Sequence, residues 1–142
     1  MKNQEVSGVA EPMVLRIAVA VVLDPAGRML LVRKRGTQSF MQPGGKIEAD
    51  ETALQSLHRE VLEELGVEAH DVAYLARMVA PAANEPGHVV DARVFRAALA
   101  AEPEISAEIE EMCWCDADNR ENRRIAPLSA EILREFVANT AK

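Results

Sequence analysis

Apolar positions divide the chain into several short extended runs, one strongly patterned helix near the middle and a second helix close to the end. The run VLRIAVAVVLD, residues 14–24, is rich in β-branched residues and ends at Asp24-Pro25-Ala26-Gly27, which predicts a strand followed by a turn. MLLVRKR, residues 29–35, reads as the returning strand of a hairpin. Alternation places Leu30, Val32 and Lys34 on one face and Leu31, Arg33 and Arg35 on the other. A loop with a Pro43-Gly44-Gly45 corner follows. From Glu51 to Leu65 the period becomes helical, with Asp50 as the expected N-cap and Gly66 as the C-terminal stop. Further strands are expected up to Pro81, over residues 89–99, and around Met112–Cys115, with a loop from Ala80 to His88. Ser129 is expected to cap a last helix whose Ile132, Leu133, Phe136 and Val137 form its apolar face. The polar first stretch reads as a flexible N-terminal arm, residues 1–12, leaving 13–142 as a single domain. These elements predict an α/β layered domain with a central mixed β-sheet.

The central helix carries a conflict. At roughly 100° per residue, Ala53, Leu54, Leu57, Val61 and Leu65 form one apolar arc, and Glu60, Glu63 and Glu64 fill the arc beside it. Glu64 falls between Ala53 and Leu57 in angle, aimed at the core edge rather than at open water. Like charges one turn apart repel, and a buried carboxylate without a partner is costly. Arg59 is the only Lys or Arg between Glu51 and Leu65, too little to neutralise three glutamates. A solvated acidic face is one reading. The favoured one is a site for a hard divalent cation, Mg²⁺ or Mn²⁺, which takes oxygen ligands and keeps room for substrate phosphates.

Composition narrows the partners. The 142 residues suit one core, and a net charge of −7 without a long basic run argues against binding a nucleic-acid polymer through its backbone. An acidic protein still binds a phosphorylated small molecule when divalent cations screen the repulsion. The longest apolar run, residues 17–23, is too short to cross a bilayer, so no membrane association is expected. MKNQEVSGVAEP lacks the apolar centre of a signal peptide. Cys113 and Cys115 read as free thiols in a reducing, cytoplasmic setting.

From Gly45 the chain runs glycine, five residues, Glu51, seven residues, then Arg59-Glu60-Val61-x-Glu63-Glu64-x-Gly66-Val67. This resembles the complete signature of the Nudix hydrolases, the MutT-like phosphohydrolases. Average residue usage gives such a match by chance with a probability on the order of 10⁻⁷ or less. The resemblance implies the Nudix fold, an α/β/α sandwich around a central mixed sheet. It also implies hydrolysis of a nucleoside diphosphate linked to another moiety, by water attack on phosphorus with Mg²⁺ or Mn²⁺ bound. Glu60, Glu63 and Glu64 then match the metal-binding glutamates, joined by the Gly45 carbonyl. Arg59 matches the arginine that pairs with Glu51 and braces loop against helix. A downstream carboxylate often serves as base or extra ligand, and Glu108 resembles it best by spacing to Trp114, with Glu111 second. Glu60, Glu63, Glu64, Glu108, Arg59 and Glu51 make up the candidate catalytic set.

Arg33 and Arg35, on one face of the strand entering the corner, are candidates for contacting substrate phosphates, with solvated edge charges as the alternative. Lys46 is a further phosphate candidate. Arg16 shares a face with Ala18 and Ala20, where small residues leave room for a base or sugar, or pack under a helix. The Ala80–His88 loop sits where the family places specificity loops. A MutT-like nucleoside triphosphate pyrophosphatase is favoured over an ADP-ribose, nucleotide-sugar or dinucleotide pyrophosphatase. A non-catalytic nucleotide-sensing module is a rival class, though such modules usually lose a glutamate that is present here. Family resemblance also leaves a homodimer open.

Overall fold

The computed structural model describes residues 13–106 and 108–138, so the expected arm at 1–12 lies outside the described residues. In chain order the elements are β1 (Met13–Val21), β2 (Met29–Lys34), β3 (Gly44–Lys46), α1 (Ala53–Leu65), β4 (Ala69–Pro81), β5 (His88–Leu99), β6 (Ile109–Cys115) and α2 (Pro127–Ile132). A π-helical stretch, Leu133–Ala138, continues α2. The larger sheet has the order β3-β1-β5-β4 and is mixed: β1 runs parallel to β5, while β1–β3 and β4–β5 are antiparallel. A second, two-stranded antiparallel sheet joins β2 to β6.

Strand alternation divides the core into two layers. Ala18, Ala20, Leu30, Val32 and Phe95 pack with Leu57, Val61 and Leu65 of α1. Val19, Val21, Leu31 and Val94 point the other way and pack with Ile132, Leu133 and Val137 of the C-terminal helix. Helices thus cover both faces of the strands, the expected α/β/α arrangement. No helix among the described residues is long and apolar enough to cross a membrane.

Four expectations are corrected. The β1–β2 hairpin keeps its turn, with Asp24 N–H donating to Arg28 O and Leu30 N–H to Val22 O, each at 2.9 Å. Its strands then separate, because both edges of β1 are taken, by β3 and β5, and β2 pairs with β6. The N-cap of α1 is Thr52 rather than Asp50. Thr52 Oγ1 accepts from Gln55 N–H at 3.1 Å and Gln55 Oε1 accepts from Thr52 N–H at 2.9 Å, a reciprocal box that Asp50 is too early to form. Leu54 is not part of the buried arc; it is 46% exposed. Ser129 does not cap the last helix, which opens with Pro127 in its first turn. Ser129 Oγ instead accepts from the backbone N–H of Gln42 at 3.1 Å. The C-terminal stop of α1 holds: Gly66 is left-handed at φ 68°, and its N–H bonds Leu62 O.

Candidate active site

Helix α1 lies across the sheet so that its acidic arc meets the corner between residues 43 and 46. Glu64 is 2% exposed, as its angular position between apolar neighbours requires. Its Oε1 accepts from Gly44 N–H at 3.2 Å; Oε2 has no hydrogen-bond donor among the described residues, and the Lys34 ammonium stands 3.6 Å away, beyond hydrogen-bond reach. Burial pushes the Glu64 carboxyl up to about 7, against the opposing pull of Lys34 and Gly44. Burial also raises Glu60, although Arg59 and Lys34 favour its charged form. Glu63 is the most exposed of the three.

Two glycines shape the corner for different reasons. A Cβ on Gly44, at φ 142°, would stand 2.2 Å from Ala18 O, so glycine lets β3 close onto β1. A Cβ on Gly45 would stand 2.4 Å from Glu60 Oε2. The bare backbone at Gly45 is thus what allows the Glu60 carboxylate to lie against it.

Arg59 ties these parts together. Its Nε and Nη2 grip both oxygens of Glu51, the latter at 2.9 Å from Oε1. Nη1 reaches Glu60 Oε2 at 3.2 Å and Glu63 Oε1 at 3.4 Å, and Nη2 donates to Lys46 O at 3.2 Å. The guanidinium holds the Glu51 carboxyl at about 2, well below its usual range. Glu51 Oε1 also accepts from Glu48 N–H at 2.9 Å, which fastens the loop to the helix start.

Glu60 and Glu63 face a cavity of about 390 Å³, while Glu64 is not among the residues that line it. Glu60, Glu63, Gly45, Arg59 and Lys46 line it, together with Glu108, which enters just ahead of β6. Glu110 and Glu111 are bound elsewhere, to Arg35 at 2.6 Å and Arg33 at 2.8 Å. These two arginines and Arg16 are not among the cavity-lining residues. Leu15, Ile17 and Val19 turn to the cavity, so Arg16 points to the opposite face of β1 with Ala18 and Ala20, which pack under α1. The end of β4 and the loop after it supply Pro81 to Glu85 as one wall.

Sequence reasoning missed Lys34, Glu48, Met41, Gln42 and Ser129, all of which line the cavity. For Lys34 a signal existed: it shares a face with Leu30 and Val32, the face that packs against α1. Gln42 and Ser129 carried no such signal, because they meet only in three dimensions.

The donors fit a hard divalent cation. All are oxygens, Glu64 Oε2 is a buried acceptor without a hydrogen-bond donor among the described residues, and Gly45 leaves space beside Glu60. Among the described residues, no three carboxylates already stand in ligand geometry. Arg59 draws Glu60 and Glu63 toward itself while Lys34 faces Glu64.

A mixed sheet sandwiched between helices, with a glutamate-rich helix braced by one arginine over a cavity, is the architecture of a Nudix hydrolase. Residues 13–136 match the family model of the NUDIX domain, and the chain belongs to that family. It is 30% identical over 128 residues to the CTP pyrophosphohydrolase of Escherichia coli, covering 84% of this chain and 90% of that one. A 55-residue segment is 42% identical to the RNA pyrophosphohydrolase of Halorhodospira halophila. That segment covers 39% of this chain and only 30% of the relative's length. The MutT NUDIX hydrolase of Burkholderia pseudomallei superposes with a TM-score of 0.75 at 22% identity, over 87% of this chain and 98% of that one, a likeness of fold. Nudix hydrolases in general depend on divalent metals.

Proposed function

We propose that this chain hydrolyses the diphosphate linkage of a nucleoside triphosphate, releasing a nucleoside monophosphate and pyrophosphate. The carrying observation is that one cavity is lined by both charged and apolar side chains. Glu60, Glu63, Glu108, Lys34, Lys46 and Arg59 supply the charges, and Leu15, Ile17, Val19, Met41 and Leu128 the apolar surface. That mixture suits a polyphosphate with a base attached, and the volume lies in the range of small-molecule sites. Likeness to a CTP pyrophosphohydrolase over nearly the whole of both chains supports the same reading.

Mg²⁺ or Mn²⁺, held by Glu60, Glu63, Glu64 and the Gly45 carbonyl, would neutralise phosphate charge and make water a better nucleophile. The chain's own residues do the rest. Lys34 and Lys46 draw phosphate oxygens into the acidic cavity, where their charges offset the repulsion of the glutamates. Arg59 holds the helix and the 45–51 loop in fixed relation, so the ligand oxygens keep their spacing. Glu108, which lines the same cavity, takes a proton from the attacking water.

Hydrolysis of a nucleotide panel in Mg²⁺ and in Mn²⁺, with EDTA controls and chromatographic separation of products, tests this. The panel holds canonical and oxidised nucleoside triphosphates, ADP-ribose and dinucleoside polyphosphates. Metal-dependent release of a monophosphate from a triphosphate is the expected result. Turnover confined to ADP-ribose or dinucleotides would replace the substrate class. Binding without turnover of any member would favour a sensing module.

A further inference from the structure

Each of the three acids of α1 stands beside a cation of the chain itself. Arg59 reaches Glu60 at 3.2 Å and Glu63 at 3.4 Å, and the Lys34 ammonium lies 3.6 Å from Glu64 Oε2. These two cations are held very differently. Arg59 is fixed by both oxygens of Glu51 and by Lys46 O. Lys34 has Glu64 as its one ion-pair partner among the described residues, at a distance beyond hydrogen-bond reach. It is the last residue of β2, and the β2–β6 register shifts between Arg33 and Lys34. A long, flexible side chain thus leaves the strand where regular pairing breaks.

Lys34 also bridges two environments. Glu64 Oε2 is buried and lies outside the cavity lining, whereas the Lys34 side chain is 37% exposed and belongs to that lining. Its ammonium is the one cation that meets Glu64 among the described residues, and its attraction extends to Glu60. A divalent ion held by Glu60 and Glu64 would have to occupy the same field. An ammonium and a doubly charged ion repel strongly at such separations, so the two cannot both stand against this pair of carboxylates.

We propose that Lys34 is a tethered counter-ion for Glu64, which a divalent ion displaces when it binds. In the metal-free protein Lys34 partly compensates a carboxylate that would otherwise be buried without any opposite charge. Its withdrawal frees the ligand oxygen and leaves the ammonium on the cavity wall, where it can meet phosphate. Arg59 stays in place throughout, because Glu51 and Lys46 O hold it independently of the ion. This inference rests on the reading of Glu64 as a metal ligand, and its test requires neither nucleotide nor turnover.

The experiment is binding of Mn²⁺ to the nucleotide-free protein at pH 8, with free ion followed by paramagnetic resonance. Lys34→Met should bind Mn²⁺ at least about tenfold more tightly than wild type, because the ion no longer competes with an internal charge. Lys34→Arg, which keeps the charge, should bind no more tightly than wild type. Lys46 also lines the cavity but makes no ion pair among the described residues, so Lys46→Met should change affinity by no more than about twofold. Thermal unfolding supplies the second measurement: Lys34→Met should melt below wild type in EDTA, and saturating Mg²⁺ should close the gap. Lys34→Gln replaces Lys34→Met if the latter fails to fold. Equal or weaker Mn²⁺ binding without the Lys34 charge, an equal gain in Lys46→Met, or a stability gap that Mg²⁺ leaves open would overturn the assignment. Glu64→Gln that binds Mn²⁺ as wild type does would overturn it together with the reading of Glu64 as a ligand. Absence of nucleotide hydrolysis with the Lys34 differences intact would count only against the proposed activity.

Discussion

Replacing Glu64 with glutamine should make the metal-free protein more stable and inactive at once. The buried carboxyl is held at about 7 against an ordinary 4.5. Between those two values the folded state keeps a proton that the unfolded chain gives up, so stability falls as pH rises through that window and levels off above it. The full difference corresponds to about 3 kcal/mol. Glutamine keeps an oxygen for Gly44 N–H but loses the attraction of Lys34, 3.6 Å away, so the net gain above pH 7 should be about 1–3 kcal/mol. For a chain of this size that is a rise of roughly 3–10 °C in Tm. The assay is thermal unfolding of wild type and Glu64→Gln in EDTA between pH 5 and 8, followed by repetition in Mg²⁺. Wild type should lose stability with pH in EDTA and regain it with Mg²⁺, whereas the variant should stay nearly flat and respond weakly to the metal. Parallel pH profiles, or a variant less stable than wild type at pH 8 in EDTA, would refute the account of Glu64 as a buried carboxylate kept for its ligand. An active variant would refute the metal assignment.

The two corner glycines should separate stability from activity. Gly44→Ala drives a Cβ into the β1 backbone at an unfavourable φ and should cost about 2–4 kcal/mol in denaturant unfolding. Gly45→Ala meets only the end of the Glu60 side chain, so it should melt near wild type while losing about 10²-fold in kcat/KM. Glu108→Gln should lower kcat by about 10²–10⁴ with little change in KM, and Glu111→Gln, which removes a surface pair to Arg33, should leave kinetics within about twofold. Glu51 is held near 2 by Arg59, so its contribution is present above its ordinary 4.5 and fades as pH falls toward 2. Glu51→Gln should therefore show a smaller loss of stability on acidification, read by circular dichroism.

Local signals account for most of what the sequence made legible. The α1 pattern located its buried face, and placing Glu64 between apolar neighbours anticipated its 2% exposure from angle alone. Leu54 failed because the arc is wider than the surface that the sheet offers α1. Asp50 failed because a good capping residue loses to Thr52 when only Thr52 has Gln55 three residues on. The hairpin failed for a reason no local signal carries: the turn was right, but competition for the edges of β1 is decided by strands as far as 75 residues away. Ser129 was misread by the same limit, since its hydroxyl serves Gln42, 87 positions earlier.

The family signature covers residues 45–67, and the positions it specifies hold charge, turn the chain or, at Val61 and Val67, pack into the core beneath α1. Strand alternation adds to the charged lining: Lys34 reaches Glu64 because Leu30 and Val32 have fixed that face of β2 against α1. The apolar lining comes from the loops before β3 and after β4, from β1 and β5, and from the start of α2. Each segment has its own packing reason to exist, as Gln42 shows by completing the β1 edge with the same amide that leaves Oε1 without a donor. Among the described residues the Gln42 side chain makes no hydrogen bond to a side chain of α1 or to Glu108. Double variants combining Gln42→Met with Glu108→Gln should then show additive losses in transition-state free energy, within about 0.5 kcal/mol. Strong coupling between them would mean that the walls of the cavity move together.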